Sequence, residues 1–267
     1  MGEPILQARG LSKHYGAHVA VDSVDLVIAP GRSVAVVGES GSGKTTLARM
    51  LMGITRPTAG TIVACGHDRS HPARSARERR RRGREVQIVF QNPYASLDPR
   101  QSAADAIDEV LRLHGDHRRD ERRARTAQLG ELVGLDDRML RARPRALSGG
   151  QRQRVAIARA LAAQPRVLIL DEAVAALDVS VQAQILNLLA DVRAETGVSY
   201  LFISHDLAVV RQVTDETIVM FRGRVVEAGP TDRVLHDPHD PYTKQLNASV
   251  PGPGWVPARR AATTAEA

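Results

Sequence analysis

The hydrophobic positions near the start of the chain follow the period of β-strands. Short β-type runs occur at residues 5–8, 19–27 and 33–37, and the second of them alternates valine with aspartate. Alternation is typical of a strand with one buried face, whereas the continuous apolar run at 33–37 predicts a strand buried on both faces. We therefore expect two half-buried antiparallel strands followed by one central strand.

Helical and β-type segments alternate over the rest of the chain. Apolar runs predict further strands at residues 61–64, 86–90, 167–170, 199–203 and 217–226. Helical spacing predicts helices at residues 44–52, 103–113, 121–133, 151–163 and 181–195. This alternation predicts an α/β fold with a largely parallel sheet and a polar helical insertion that Pro144 closes. The segment from Pro251 onward is rich in Pro, Gly, Ala and Thr, which predicts disorder.

The composition is that of a globular protein and excludes several kinds of site. Of the 267 residues, 43% are hydrophobic and 25% are charged, near the averages of folded domains. Cys65 is the single cysteine, which rules out an internal disulfide and a four-cysteine zinc or iron–sulfur site within the chain. The first ten residues lack a basic head followed by an apolar stretch, so we expect no secretory signal, and no apolar run reaches the roughly 18–20 residues that a membrane-spanning helix needs. We expect a cytosolic protein that reaches a membrane only through its partners.

The positive charge of the chain is concentrated in one segment. The net charge is +7, and residues 69–84 contain eight arginines and one glutamate, so this segment carries the whole excess. The pattern predicts a solvated, arginine-rich surface helix or loop. The alternatives are contact with acidic loops or anionic lipid at a membrane face, and contact with nucleic acid.

A glycine-rich turn follows the central strand and precedes a predicted helix. Residues 38–45 read Gly-Glu-Ser-Gly-Ser-Gly-Lys-Thr, which fits the phosphate-binding loop G-x-x-x-x-G-K-[ST]. In such a loop the backbone N–H groups and the helix dipole bind phosphate, a lysine reaches the β- and γ-phosphates, and the hydroxyl after it binds Mg²⁺. The predicted ATP-binding residues of the loop are Gly38, Glu39, Ser40, Gly41, Ser42, Gly43, Lys44, Thr45 and Thr46.

Two carboxylates follow another buried strand. The apolar residues 167–170 lead directly into Asp171 and Glu172. The carboxyl ends of parallel strands form the ligand-binding edge of an α/β sheet, so both side chains are predicted at the nucleotide. Asp171 then holds Mg²⁺ through water, and Glu172 acts as the general base that polarises the attacking water. Without the phosphate loop, the same pattern would equally fit a strand that ends in solvated acids.

Residues 147–151, between the two nucleotide motifs, read Leu-Ser-Gly-Gly-Gln. They resemble the signature of ATP-binding cassette (ABC) ATPases, and the resemblance covers residues 4–246. It implies a P-loop NTPase core with a parallel sheet, an N-terminal antiparallel β-subdomain and a helical insertion subdomain. The implied division is a catalytic core with β-subdomain at 4–90 and 155–235, a helical and signature subdomain at 91–154, and a partly disordered tail at 236–267.

The resemblance assigns roles to further residues. The implied signature residues Ser148, Gly149, Gly150 and Gln151 bind ATP that a partner's phosphate loop holds, although an ordinary serine N-cap would look similar. Gln91 is implied as a catalytic glutamine that senses Mg²⁺ and the attacking water, or else it belongs to a polar turn before Pro93. His205 would contact the γ-phosphate, with a surface or capping histidine as the alternative. Tyr15 would stack on adenine, unless it is a core or turn residue.

One stretch departs from the family pattern. Many members read Pro-Thr-Ser-Ala-Leu-Asp after the two carboxylates, whereas residues 173–178 read Ala-Val-Ala-Ala-Leu-Asp. Asp178 is retained, so the implied contact across a dimer of ATPase chains remains available. Because Ala175 carries no hydroxyl, we expect the coupling between two ATP sites to change more than hydrolysis itself.

Residues 92–100, 179–186 and 237–243 resemble the branch of dipeptide, oligopeptide and nickel importers. The resemblance implies a peripheral ATP-hydrolysing subunit at the cytoplasmic face of the membrane, with ATP and Mg²⁺ as cofactors and a peptide, nickel or a metallophore as cargo. The implied partners are permease subunits, a second and different ATPase chain and, indirectly, an extracytoplasmic solute-binding protein. A soluble ABC-type ATPase acting on nucleic acid is the alternative. The 104 positions from Lys44 to Ser148 lack the sustained heptads of such proteins, so we expect no nucleic-acid partner.

Overall fold

The computed structural model describes residues 2–92, 96–115 and 118–248. Within them, the N-terminal part forms an antiparallel sheet of four strands in the order β2-β1-β4-β5. The strands are β1 (Leu6–Tyr15), β2 (His18–Ile28), β4 (Ala59–Ala64) and β5 (His67–Asp68). The first two strands pair antiparallel from Leu6 opposite Ile28 to Tyr15 opposite His18, which confirms the predicted antiparallel pairing.

The second sheet of the described part has six strands in the order β10-β9-β3-β8-β7-β6. They are β3 (Ser33–Val37), β6 (Val86–Phe90), β7 (Val167–Asp171), β8 (Ser199–Ser204), β9 (Glu216–Phe221) and β10 (Arg224–Pro230). Strands β9, β3, β8, β7 and β6 are parallel, and β10 runs antiparallel at the edge. The predicted α/β fold with a parallel sheet is confirmed.

One predicted strand was wrong in its extent. The run at 217–226 was expected to be continuous, but it forms the hairpin of β9 and β10. Arg222 and Gly223 take φ values of 48° and 83°, a left-handed conformation that turns the chain back on itself.

The helices of the described part surround the parallel sheet and fill the predicted insertion. They are α1 (Lys44–Met52), α2 (Ala76–Glu85), α3 (Ala103–His114), α4 (Arg119–Leu132), α5 (Asp137–Arg141), α6 (Gly149–Ala162), α7 (Val179–Thr196), α8 (Leu207–Val213), α9 (Thr231–His236) and α10 (Pro241–Ala248). A short 3₁₀ turn at Pro144–Ala146 precedes α6. None of these helices combines the length and apolar character needed to cross a membrane.

The two faces of the parallel sheet bury different hydrophobic clusters. In β7, Leu168 and Leu170 pack with the helical insertion, whereas Val167 and Ile169 pack with α1 and the antiparallel sheet. Successive strand residues point to opposite faces, so a strand covered on both sides must be apolar at consecutive positions. This double burial explains the continuous apolar runs and leaves the carboxyl ends of the strands as the accessible edge.

The arginine-rich segment contains most of helix α2, none of whose residues is buried, and part of the predicted tail is also helical. Arg69 is buried and pairs with Glu85 of α2, because a charged side chain inside a protein needs a partner, so the segment is not solvated throughout. Helix α10 occupies part of the predicted tail. The disorder predicted from Pro251 onward lies outside the described residues.

Candidate active site

The glycine-rich turn connects β3 to α1 under tight steric limits. Gly38 has φ of 148°, and a Cβ there would lie 2.2 Å from the carbonyl oxygen of Met220. Gly43 has φ of 102°, and its Cβ would lie 2.3 Å from the carbonyl oxygen of Ala20. Side chains at either position would collide with neighbouring backbone, so these glycines allow the loop to pack between β9 and β2.

Lys44 is held beneath the loop. Lys44 is only 5% exposed, and its Nζ donates to the carbonyl oxygens of Gly38 at 2.7 Å and Glu39 at 2.8 Å. Burial lowers the pKa of Lys44, while the nearby carboxylates, Glu172 first among them, oppose that change. The loop thus surrounds a preoriented cation, which is the group that phosphate oxygens require.

Thr45 and Asp171 come together from different elements. The Thr45 hydroxyl donates to Asp171 Oδ1 at 3.4 Å, and Asp171, at the end of β7, is 6% exposed. Burial raises the pKa of Asp171, and the negative charge of Glu172 raises it further. A hydroxyl beside a desolvated carboxylate is a hard oxygen donor set, and a divalent cation would offset the repulsion, so these residues fit Mg²⁺.

Glu172 and His205 meet at the ends of neighbouring strands β7 and β8. Glu172 has φ of 49°, an uncommon conformation for a residue with a side chain, and its N–H donates to the Ile203 carbonyl oxygen at 2.9 Å. Its Oε1 lies 3.4 Å from Nδ1 of His205, whose side chain is more than half exposed. The structure therefore brings the predicted base and the predicted phosphate-contacting histidine within reach of each other.

A cleft of about 360 Å³ lies above the loop. It is lined by Tyr15, His18, Ala20, Ser40, Gly41, Gly43, Lys44, Thr45, Thr46 and Glu172. Tyr15 is 51% exposed, which leaves its ring available to a flat ligand. Sequence reasoning missed His18 and Ala20, because only the β1–β2 hairpin brings them to the cleft, and no residue motif marks them.

The signature residues begin helix α6. Ser148 is its N-cap: the Ser148 hydroxyl accepts from the Gln151 N–H at 3.3 Å, and Gln151 Oε1 accepts from the Ser148 N–H at 2.8 Å. The ordinary reading as a serine N-cap is therefore also true of this site. Asp178 is exposed just before α7, and the next residue, Val179, is 83% exposed. An apolar side chain this open beside the signature leaves a surface that another chain can cover.

Gln91 lies at the same edge of the sheet but outside the phosphate cleft. Phe90 pairs with Asp171, so Gln91 follows β6 beside the two carboxylates. A second cavity, of about 480 Å³, is lined by Gln91, Asn92, Gly149, Arg152, Gln153, Ala173, Ala176 and Leu177. Among the described residues, the linings of the two cavities have no member in common. Residues 93–95, which include the predicted turn at Pro93, lie outside the described residues.

Tyr242 is a further residue that sequence reasoning missed at this site. Its hydroxyl accepts a hydrogen bond from the backbone N–H of Glu39 at 2.9 Å. The segment at 237–243 was interpreted only as a marker of the importer branch. A contact between residues 203 positions apart has no local signal in the sequence.

Comparison with known proteins agrees with this site. Residues 21–175 match the family described as ABC transporter. The Di/tripeptide transport ATP-binding protein DppF of Pseudomonas aeruginosa is 44% identical over 259 residues, covering 93% of this chain and 80% of the relative. The Glutathione import ATP-binding protein GsiA of Salmonella paratyphi A is 45% identical over 261 residues, covering 94% of this chain but 42% of that relative.

A solved structure supports the same family. The ATP-binding cassette MJ0796, in a dimeric post-hydrolysis state bound to ADP and phosphate, superposes with a TM-score of 0.76. It is 28% identical, and the match covers 85% of this chain and 98% of the other. The resemblance inferred from residues 147–151, and the importer branch, are confirmed by these matches. The chain belongs to the ABC transporter family, as an ATP-hydrolysing cassette.

Proposed function

We propose that this chain is the ATP-hydrolysing subunit of a multi-chain peptide importer, bound peripherally at the cytoplasmic face of the membrane. The observation that carries the proposal is the separation of two helix N-termini. The loop at residues 38–46 and Glu172 line a phosphate cleft, in which Thr45 contacts Asp171, whereas the signature at α6 faces a different cavity. A cassette built in this way offers one complete cleft and one surface suited to a partner's nucleotide.

Within the cleft, each side chain has a chemical task. Lys44 and the loop N–H groups bind the β- and γ-phosphates, and the Tyr15 ring stacks on adenine. Thr45 and Asp171, with Gln91, would hold Mg²⁺, which supplies positive charge to the phosphate oxygens. Glu172 accepts the proton of the attacking water. His205, 3.4 Å from Glu172, orients that carboxylate and contacts the γ-phosphate.

The signature surface is proposed to act on a second ATPase chain. Ser148, Gly149, Gly150 and Gln151 would cap the nucleotide of that chain, and Asp178 would contact it beside the exposed Val179. The N-terminus of α6 adds the positive end of its helix dipole to this surface. We propose a heterodimer rather than a homodimer, since the resemblance to this importer branch implies that two different ATPase chains pair. Closing on ATP and opening after hydrolysis would then move the permease subunits.

The proposed cargo is a peptide rather than nickel or a metallophore. One relative is named for di- and tripeptides and another for glutathione. A nucleic-acid partner is not proposed, and the names of these relatives do not mention one. The positive charge at 69–84 is partly neutralised by the ion pairs of Arg69 with Glu85 and of Arg82 with Glu78. The chain would meet the extracytoplasmic solute-binding protein only indirectly, through the permeases.

Reconstitution tests this function. The chain would be assembled in proteoliposomes with the permeases and second ATPase encoded beside it, and uptake of a labelled dipeptide, a labelled tripeptide and ⁶³Ni²⁺ measured with internal MgATP. We expect peptide uptake that Glu172→Gln abolishes and that exposed Glu195→Gln on α7 retains. Nickel uptake without peptide uptake would overturn the cargo. ATPase activity that duplex DNA stimulates with a steep salt dependence would overturn the transport role.

A further inference from the structure

The C-terminal helix contacts the phosphate loop through one side chain. Tyr242, near the start of α10, accepts the Glu39 N–H at 2.9 Å. Its ring lies against Phe221, with ring centroids 4.2 Å apart and planes inclined by 33°. Phe221 ends β9 and follows Met220, whose carbonyl oxygen faces Gly38. The aromatic pair thus fixes the Tyr242 hydroxyl beside the first peptide of the loop.

That peptide is held from both sides. The Glu39 N–H and the Gly38 carbonyl belong to one peptide unit, and in a trans peptide they point in opposite directions. The carbonyl accepts from Lys44 Nζ at 2.7 Å, while the N–H donates to Tyr242. Hydrogen bonds on opposite ends of one peptide polarise each other in the same sense. The Tyr242 hydroxyl therefore acts on the carbonyl that orients the Lys44 ammonium.

Helix α10 is anchored well enough to hold its tyrosine in place. Glu227 of β10 is buried and accepts from the N–H groups of His239 at 3.0 Å and Asp240 at 3.2 Å. Asp240 Oδ1 accepts from the Tyr242 N–H at 2.8 Å. At the far end, Asn247 Nδ2 donates to the Leu235 carbonyl oxygen at 2.9 Å. Asp240 thus supplies the N-terminal cap of this helix.

We propose that Tyr242 is a positioning residue for ATP binding. By orienting the Gly38–Glu39 peptide it sets the phosphate loop and Lys44 for the β- and γ-phosphates, and it makes α10 responsive to the nucleotide. Coupling between two sites is reciprocal, so ATP must also tighten the contact of α10 with the loop. The inference rests on the nucleotide site proposed for residues 38–46.

The test compares two tyrosine hydroxyls. Tyr242→Phe keeps the ring on Phe221 and removes only the acceptor for Glu39. Tyr200→Phe is the matched control, since the buried Tyr200 hydroxyl donates to the Leu189 carbonyl oxygen at 2.8 Å, away from the residues that line the phosphate cleft. Titration of the full chain with MgATP should show roughly threefold to tenfold weaker binding for Tyr242→Phe. The Tyr200→Phe chain should bind as the wild type does.

Two further readouts separate positioning from a structural role. In the assembled transporter, Tyr242→Phe should raise KM for ATP and leave kcat within about twofold, as expected for lost binding. Hydrogen exchange of the Glu39 amide should accelerate in the variant, and MgATP should slow exchange in α10 of the wild type only. Unchanged affinity and Glu39 exchange in Tyr242→Phe, or equal weakening in Tyr200→Phe, would overturn the proposal. A wild-type chain that does not bind MgATP would overturn the nucleotide site itself.

Discussion

Two helix N-termini in this molecule follow similar glycine- and serine-rich sequences, yet they are built for different tasks. Helix α1 begins after Gly43 with no side-chain cap, and its loop is folded around the buried Lys44. Helix α6 begins after Ser148, an exposed N-cap that forms a complete capping box with Gln151. At the first terminus the backbone N–H groups stay available to an anionic ligand, and residues of the same chain line the cleft for that ligand. The second satisfies its own cap, and in the proposed function its ligand is the nucleotide of another chain.

The largest effect should come from removing the cation of the first terminus. Lys44→Met deletes the ammonium that the Gly38 and Glu39 carbonyls orient, so MgATP should bind roughly 100-fold more weakly. Titration of the full chain with MgATP measures it. Lys244→Met, on the exposed side of α10, is the control and should bind normally. If Lys44→Met kept its affinity, the distinction between the two termini would be lost.

At the second terminus, the stability of the fold should depend on the glycine that packs against α7 and not on its neighbour in the signature. A Cβ on Gly150 would lie 2.4 Å from Val181 Cγ1 of α7, whereas a Cβ on Gly149 would come no closer than 3.7 Å to Leu177. We expect Gly150→Ala to lower the free energy of unfolding by about 1–3 kcal/mol. Gly149→Ala should leave it nearly unchanged, as chemical denaturation would show.

A rescue variant tells whether this packing is the cause. Val181→Ala removes the methyl groups that a new Cβ at residue 150 would meet, so the double variant should regain most of the stability lost in Gly150→Ala. If the double variant stayed as unstable as Gly150→Ala, the close approach of α6 to α7 would not be the reason that glycine is needed there.

Much of the first site could be predicted from the sequence because its chemistry is local. Residues 38–46 and the pair Asp171–Glu172 are consecutive side chains at the ends of apolar strands, and the parallel register then brings the strand ends together. The contact of Thr45 with Asp171, the two residues predicted to bind Mg²⁺, follows from that register. The same reasoning located the parallel sheet, since strands buried on both faces are recognisable from composition alone.

The parts that could not be predicted depend on contacts between distant residues. Tyr242 reaches Glu39 only after α10 has docked on Glu227, and Arg69 is buried because Glu85 happens to face it. The hairpin at Arg222 was missed because arginine seldom adopts a positive φ, although Gly223 beside it was a usable signal. Such cases are decided by tertiary packing, which leaves no local pattern in a single sequence.

The cap of the second terminus can be separated from its function. Ser148→Ala removes the cap of α6, and Ser102→Ala removes an equivalent capping box, with Asp105, from α3. Each should cost about 1 kcal/mol of stability. In the assembled transporter only Ser148→Ala should also slow ATP turnover, by about tenfold, because it alone is proposed to bind a partner's nucleotide. Equal turnover in the two variants would remove the functional difference between α6 and an ordinary capped helix.

The smallest effect concerns Asp171, whose buried carboxylate beside the first terminus lowers the stability of the fold when no cation is bound. Because burial and Glu172 raise the pKa of Asp171, the folded chain holds this proton to higher pH than the unfolded chain does. Stability therefore falls as pH rises from the ordinary value of 3.8 to the raised folded value, and the loss persists at neutral pH. Without Mg²⁺ or nucleotide at pH 7, Asp171→Asn should melt roughly 2–4 °C higher than the wild type. The exposed Asp191→Asn should melt like the wild type, and adding MgATP should reverse the order by stabilising only chains that retain Asp171. An apo Asp171→Asn chain that melted lower would mean that the carboxylate stabilises the fold. The first terminus would then be stable without a ligand, as the second is, and the comparison between them would fail.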